Sequence, residues 1–124
     1  MVSAEKAGKF ASEWIDSWNR HDIDDILSHY ANELRFSSPL VAMLKFNDSG
    51  IITSKQELAR YFKVGLDAFP DLTFKLHNVF SGNNTVVLYY ESVNNRMAAE
   101  VFELNDQGKA VNVFCNYSNE PSHY

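Results

Sequence analysis

The hydrophobic period of this chain changes at Pro70-Asp71, and that change limits the folds open to it. Before Pro70 the apolar residues recur at helical spacing, and beyond it they alternate. Ala7, Phe10, Ala11, Trp14, Ile15 and Trp18 share one face, and Glu5, Lys9, Glu13, Asp16 and Ser17 cover the other. This predicts a helix over 3–19. Asp22, with Asp25 three residues on, reads as an N-cap ahead of a second stripe of Ile23, Ile26, Leu27 and Tyr30. The short Asn19–His21 connection makes the two helices neighbours. Leu34–Ser38 reads as a short strand stopped by Pro39. Val41–Phe46 reads as a second extended piece ended by the turn Asn47-Asp-Ser-Gly50. The capping box Ser54-x-x-Glu57 opens a third helix with Leu58, Tyr61, Phe62, Leu66 and Phe69 inward.

Leu72–Phe80, Thr85–Val93, Met97–Leu104 and Lys109–Tyr117 read as strands. Turn signals at Ser81–Asn84, Asn94-Asn95 and Asn105–Gly108 separate them, so they should form an antiparallel meander. Three helices on one side of an antiparallel sheet make an α+β domain. The expected organisation is one domain over 1–117 and a polar C-terminal tail at 118–124.

The formal net charge is -5 and no two of the eleven Lys and Arg residues are adjacent. That opposes a nucleic-acid or anionic-membrane partner, since either demands clustered cations. Cys115 is alone, so no intrachain disulfide can form, and a cytoplasmic setting is expected. The N-terminal stretch has no apolar signal core, and no segment reaches the roughly 20 apolar residues of a bilayer span. Aromatic residues make up 14%, enough to fill a core or to line a cavity for an apolar ligand.

Several segments are distinctive together: Trp18-Asn-Arg-His-Asp22, Phe36-Ser-Ser-Pro39, Phe69-Pro-Asp-Leu-Thr-Phe74, and Ala99-Glu-Val-Phe102 followed by Asp106-Gln-Gly-Lys109. Over roughly 10–117 the chain resembles the SnoaL-like branch of the nuclear transport factor 2-like superfamily, which includes ketosteroid isomerases and polyketide cyclases. The resemblance implies a cone-like curved antiparallel sheet packed against the three helices of the N-terminal half, with a pocket inside. Ketosteroid isomerases use a general-base aspartate, and a tyrosine with a protonated aspartate as oxyanion hole. Their tyrosine position falls on Trp14, the base position on Ser38 and the third position on Glu100. The resemblance therefore implies that this chain is not an efficient ketosteroid isomerase, although the Trp14 indole N–H could still donate.

Glu100 is the candidate catalytic residue. Ala98, Phe102 and Leu104 share its strand face, and a carboxyl facing an apolar interior has its charged form disfavoured. The opposite face (Met97, Ala99, Val101) is apolar too, so which face is inner stays open, and Arg96 could pair with Glu100. Hairpin counting across Asn94-Asn95 brings either Tyr89 or Tyr90 opposite it. Trp14, Trp18, Tyr30, Ser38, Tyr61, Phe62, Tyr89, Tyr90 and Phe102 are the candidate ligand-binding residues. His77 reads as solvent-facing. His21 and the Asp22, Asp24, Asp25 group read as a helix N-terminus, with His29 paired to Asp25. No metal or cofactor motif is present.

The expected ligand is a small hydrophobic, carbonyl-bearing molecule, with acid–base chemistry of isomerase, cyclase or hydratase type. The alternatives are a non-catalytic binder and an association domain. Apolar residues on both sheet faces, Val79, Val87, Val101 and Val113 among them, imply a homodimer through the sheet.

Overall fold

A computed structural model describes residues 1–119. The order is α1 (Ala4–Asn19), α2 (Ile23–Leu27), β1 (Tyr30–Ser37), α3 (Pro39–Met43), β2 (Ile51–Ser54), α4 (Lys55–Ala68), β3 (Lys75–Ser81), β4 (Thr85–Glu91), a 3₁₀ turn (Val93–Asn95), β5 (Met97–Leu104) and β6 (Ala110–Tyr117). Residues 120–124 of the expected tail lie outside the described residues. Three helices begin at side chains that accept an orphan backbone N–H. Ser3 Oγ accepts from Lys6, Asp22 Oδ1 from Asp25 and Ser54 Oγ from Glu57, each at 3.1 Å.

The sheet has six strands in the order β2-β1-β6-β5-β4-β3. Its β3–β6 part is the expected antiparallel meander. The expected cone is not found. The sheet is open, with β2 and β3 as free edges, and it is mixed, because β1 runs parallel to β6. A parallel neighbour needs a long crossover, and here everything from α3 to β5 lies between the two strands.

Three local readings also change. Tyr30, expected on the stripe of the second helix, is the first residue of β1. Val41–Phe46 is not extended: Pro39 stands in the first turn of α3, and Ser38 Oγ caps it by accepting from Leu40 N at 3.2 Å. Proline ends a strand, but its fixed φ and missing N–H also suit a helix start. In β3 the register slips between Leu76 and Asn78. This bulge carries Val79 to the inner face, paired with Leu88, and Phe80 to the outer face, paired with Val87.

The helices cover the inner face. Trp14 of α1 meets Tyr90 and Phe102 of the sheet edge-on, with ring centroids 5.3 and 5.4 Å apart. Val113 is inner as well, paired with Phe102 and fully buried. On the outer face one cross-strand row runs Phe80, Val87, Val101, Phe114, Ser37 and Ile51 over all six strands. Phe80 and Phe114 there are 53% and 40% exposed, so a band of apolar surface faces solvent.

The end of α1 is tied to the start of β3. Asn19 Nδ2 donates to Phe74 O at 3.0 Å and Asn19 Oδ1 accepts from Phe74 N at 2.7 Å. His21 Nε2 donates to Leu72 O at 2.8 Å. Two of the distinctive segments thus hold each other, and their polar residues are used for folding.

Candidate functional site

Glu100 lies mid-strand on the inner face of β5, opposite Leu88 of β4 and Cys115 of β6. Tyr90 pairs with Ala98, which puts its ring diagonal to Glu100, and its Oη donates to Glu100 Oε1 at 2.6 Å. Both groups are buried. They border a cavity of about 60 Å³ whose wall is mostly aromatic and aliphatic, from Trp14, Trp18, Tyr61, Phe62 and Phe74 to Tyr117. Among the described residues no Lys, Arg or His lines it. Phe69, Leu72, Ser92 and Val93 also line a surface cleft of about 350 Å³, so the cavity and the cleft share a wall.

Burial without a cation pushes the Glu100 carboxyl up to about 7, against the opposing pull of Tyr90 and Cys115. The carboxyl in turn acts on its neighbours. Burial first, and then the Glu100 charge, push the Tyr30, Tyr90 and Cys115 acids well up. At neutral pH the site therefore holds one group that both gives and takes a proton, among hydroxyls and a thiol that stay protonated.

Of the residues singled out from sequence, Trp14, Trp18, Tyr61, Phe62, Tyr90 and Glu100 come together at the cavity. Tyr30, Ser38 and Phe102 are buried outside its lining. Tyr89 is on the other face of the sheet, paired with Ala99 and 36% exposed, because adjacent residues of a strand point oppositely. Glu100 is not paired with Arg96, whose Nη1 donates to Ser118 O at 2.6 Å. The Trp14 indole N–H is taken: it donates to Tyr30 Oη at 3.0 Å. Ser38 is the α3 cap.

Cys115 and Tyr117 line the cavity and were not singled out. Hairpin counting across the Asn105–Gly108 turn sets Val113 opposite Glu100, and the register shift between Glu103 and Leu104 brings Cys115 there instead. His77 meets Glu91 at 3.2 Å on the edge of the sheet. Asp25 and His29 do not touch directly but converge on buried Ser17, at 2.7 and 3.0 Å from its Oγ. Arg20 binds Asp16, Asp22 and Asp25 beside them, so this cluster latches α1 to α2. Among the described residues no cluster of three or more His, Cys, Asp or Glu is placed to hold a metal ion, and no helix is long and apolar enough to cross a membrane.

The SnoaL-like domain model matches residues 11–113. A SnoaL-like protein of unknown function from Burkholderia thailandensis is 33% identical, with TM-score 0.90 over 95% of this chain and 98% of that one. A proposed isomerase of the SnoaL-like family from Agrobacterium tumefaciens is 17% identical, with TM-score 0.75 over 93% and 99% of the two chains. The epoxide hydrolase/cyclase-like enzyme SalBIII, of pyran ring formation in salinomycin, is 17% identical, with TM-score 0.72 over 96% and 95%. The last two likenesses concern the fold. No functionally curated protein matches the chain.

Proposed function

The chain belongs to the SnoaL-like domain family, and on that premise we propose that it binds a small, apolar, carbonyl-bearing molecule and moves a proton on it through Glu100. The observation that carries this reading is the buried Glu100–Tyr90 pair, 2.6 Å apart on the wall of an apolar cavity. The Glu100 carboxylate takes a proton from a carbon next to the carbonyl. The C–H electron pair becomes the enolate double bond, and the carbonyl π pair moves to oxygen. Glu100 then returns the proton to the same or a neighbouring carbon. A carboxyl titrating at about 7 suits this cycle, because it is a stronger base than an ordinary glutamate and is still half ionised at neutral pH. Isomerases and cyclases both need such a step.

The test is α-proton exchange of cyclopentanone in deuterated water, followed by NMR. The protein should accelerate exchange, the rate should rise through about pH 7 as Glu100 ionises, and Glu100→Gln should abolish it. Equal exchange by wild type and Glu100→Gln would sink the catalytic reading, and saturable binding without exchange would make the protein a binder only. Ketosteroid isomerisation is not expected, because Ser38 is a helix cap and the Trp14 N–H is engaged. A steroid-isomerase rate comparable with dedicated enzymes would overturn that.

The row of Phe80, Val87, Val101 and Phe114 supports a second element of the proposal, a homodimer that covers the outer sheet face. The lone buried thiol of Cys115 fits a reducing compartment such as the cytoplasm.

A further inference from the structure

We propose that Gly65 of α4 sets the size of the ligand: the space left by its missing side chain is part of the binding cavity. The inference rests on the cavity-ligand reading above and assigns the residue that decides which molecules fit.

Glycine is the poorest helix former after proline, because it loses the most backbone freedom on folding. A glycine is required where φ must be positive, or where another group comes too close for a Cβ. Neither holds at Gly65. It is not among the glycines of positive φ, and its carbonyl accepts the Phe69 N–H at 3.0 Å, the regular bond of an α-helix. A Cβ built on it would meet no atom within 4 Å beyond the backbone of its own helix.

That Cβ would point toward the cavity. Tyr61 and Phe62 stand four and three residues before Gly65, and Phe69 stands four after, so all share its helix face. All three line the cavity, as does Gly65 itself. The inward stripe of α4 is therefore bulky on either side of one bare step, and the bare step opens on the cavity. Glu100 lies on the sheet wall of the same cavity. A bound molecule is held between sheet and helix, with its polar end at Glu100 and an apolar part over Gly65. Contact there is one of shape, because the Gly65 carbonyl is already engaged within the helix. The cavity measures only about 60 Å³, so even one methyl group projecting into it changes what fits.

Gly8 makes the contrast. It too stands inside a helix, with no atom within 4 Å of a built Cβ, but it does not line the cavity. Only at Gly65 does the missing side chain enlarge a space that also holds Glu100.

The test sets stability against binding. Gly65→Ala and Gly8→Ala should each raise the melting temperature by a few degrees, since alanine favours the helix. Binding of cyclopentanone and of the larger cycloheptanone is followed by tryptophan fluorescence, with Trp14 and Trp18 both on the cavity wall. Gly65→Ala should weaken cycloheptanone binding by about 10-fold, the usual worth of a methylene in a tight pocket, and cyclopentanone binding by less. Gly65→Leu should remove both, with cooperative melting retained. Gly8→Ala should bind both ketones as wild type does. A Gly65→Ala protein that is more stable and binds both ketones unchanged would overturn the proposal. So would a lower melting temperature for Gly65→Ala, because the position would then be packed and not open. A wild type that binds neither ketone would overturn the proposal together with the reading beneath it. Binding that follows this size order without any proton exchange would remove Glu100 as base and leave the role of Gly65 standing. Exchange that depends on Glu100 and is indifferent to Gly65→Leu would do the reverse.

Discussion

Replacing Glu100 by Gln should make the protein more stable in alkaline solution than in mild acid, relative to wild type. The folded-state carboxyl is raised from its ordinary 4.5 to about 7, with burial as the main cause. Between those two values the unfolded chain releases the Glu100 proton and the folded chain keeps it. Stability therefore falls as pH rises, because the unfolded state binds fewer protons. The fall begins near 4.5, is complete just above 7, and amounts to about 3 kcal/mol at 1.36 kcal/mol per pH unit. Glutamine never ionises and can still accept from Tyr90, so Glu100→Gln escapes this loss. Urea denaturation of both proteins at fixed concentration from pH 4 to 8 gives the difference directly. It should grow by about 3 kcal/mol across that window and then level off. Every other titrating group is common to both proteins and cancels. A difference that stays flat from pH 4 to 8 would show that Glu100 titrates as an ordinary glutamate, and the argument from burial would fall with it. Tyr90→Phe sharpens the experiment. It removes a hydrogen bond that holds the carboxyl down, so the descending window should extend further above 7.

Ser54→Ala should cost about 1 kcal/mol in urea denaturation, since the Glu57 N–H loses its capping oxygen. Gly50→Ala should cost more than about 1 kcal/mol by the same measurement, because Gly50 has φ +77° and a Cβ there would stand 3.2 Å from the Ser38 carbonyl oxygen. Phe114→Asp puts a charge in the middle of the outer apolar row, and sedimentation velocity should show wild type as a dimer and the variant as a monomer.

What could be read from sequence was what neighbours along the chain decide. The caps at Asp22 and Ser54, the inward faces of α1 and α4 and the β3–β6 hairpins all depend on residues a few positions apart. The parallel β1–β6 pair is set by a contact between distant segments, and no local pattern announces it. Val41–Phe46 departs from the extended pattern because a proline that ends a strand also suits a helix start, and Ser38-Pro39 opens α3. Which face of β5 turns inward was not legible, because Met97, Ala99 and Val101 are as apolar as Ala98 and Phe102, and the register sets Leu88 opposite Glu100 in place of Tyr89 or Tyr90.

The bulge in β3 bears on how copies of this protein avoid each other. A flat strand at the rim of a sheet offers a ready template for another chain, and stacks of such strands grow into fibres. Here one rim is interrupted at Leu76–Asn78, carries Lys75 and is flanked by the His77–Glu91 pair, while the other, β2, is only four residues long. Neither rim gives an incoming strand a long, regular run of free N–H and C=O groups. The apolar surface instead lies on the flat of the sheet, where one partner can cover it and stop. The rims discourage open-ended growth, and under the proposed dimer the flat would be covered by a single partner.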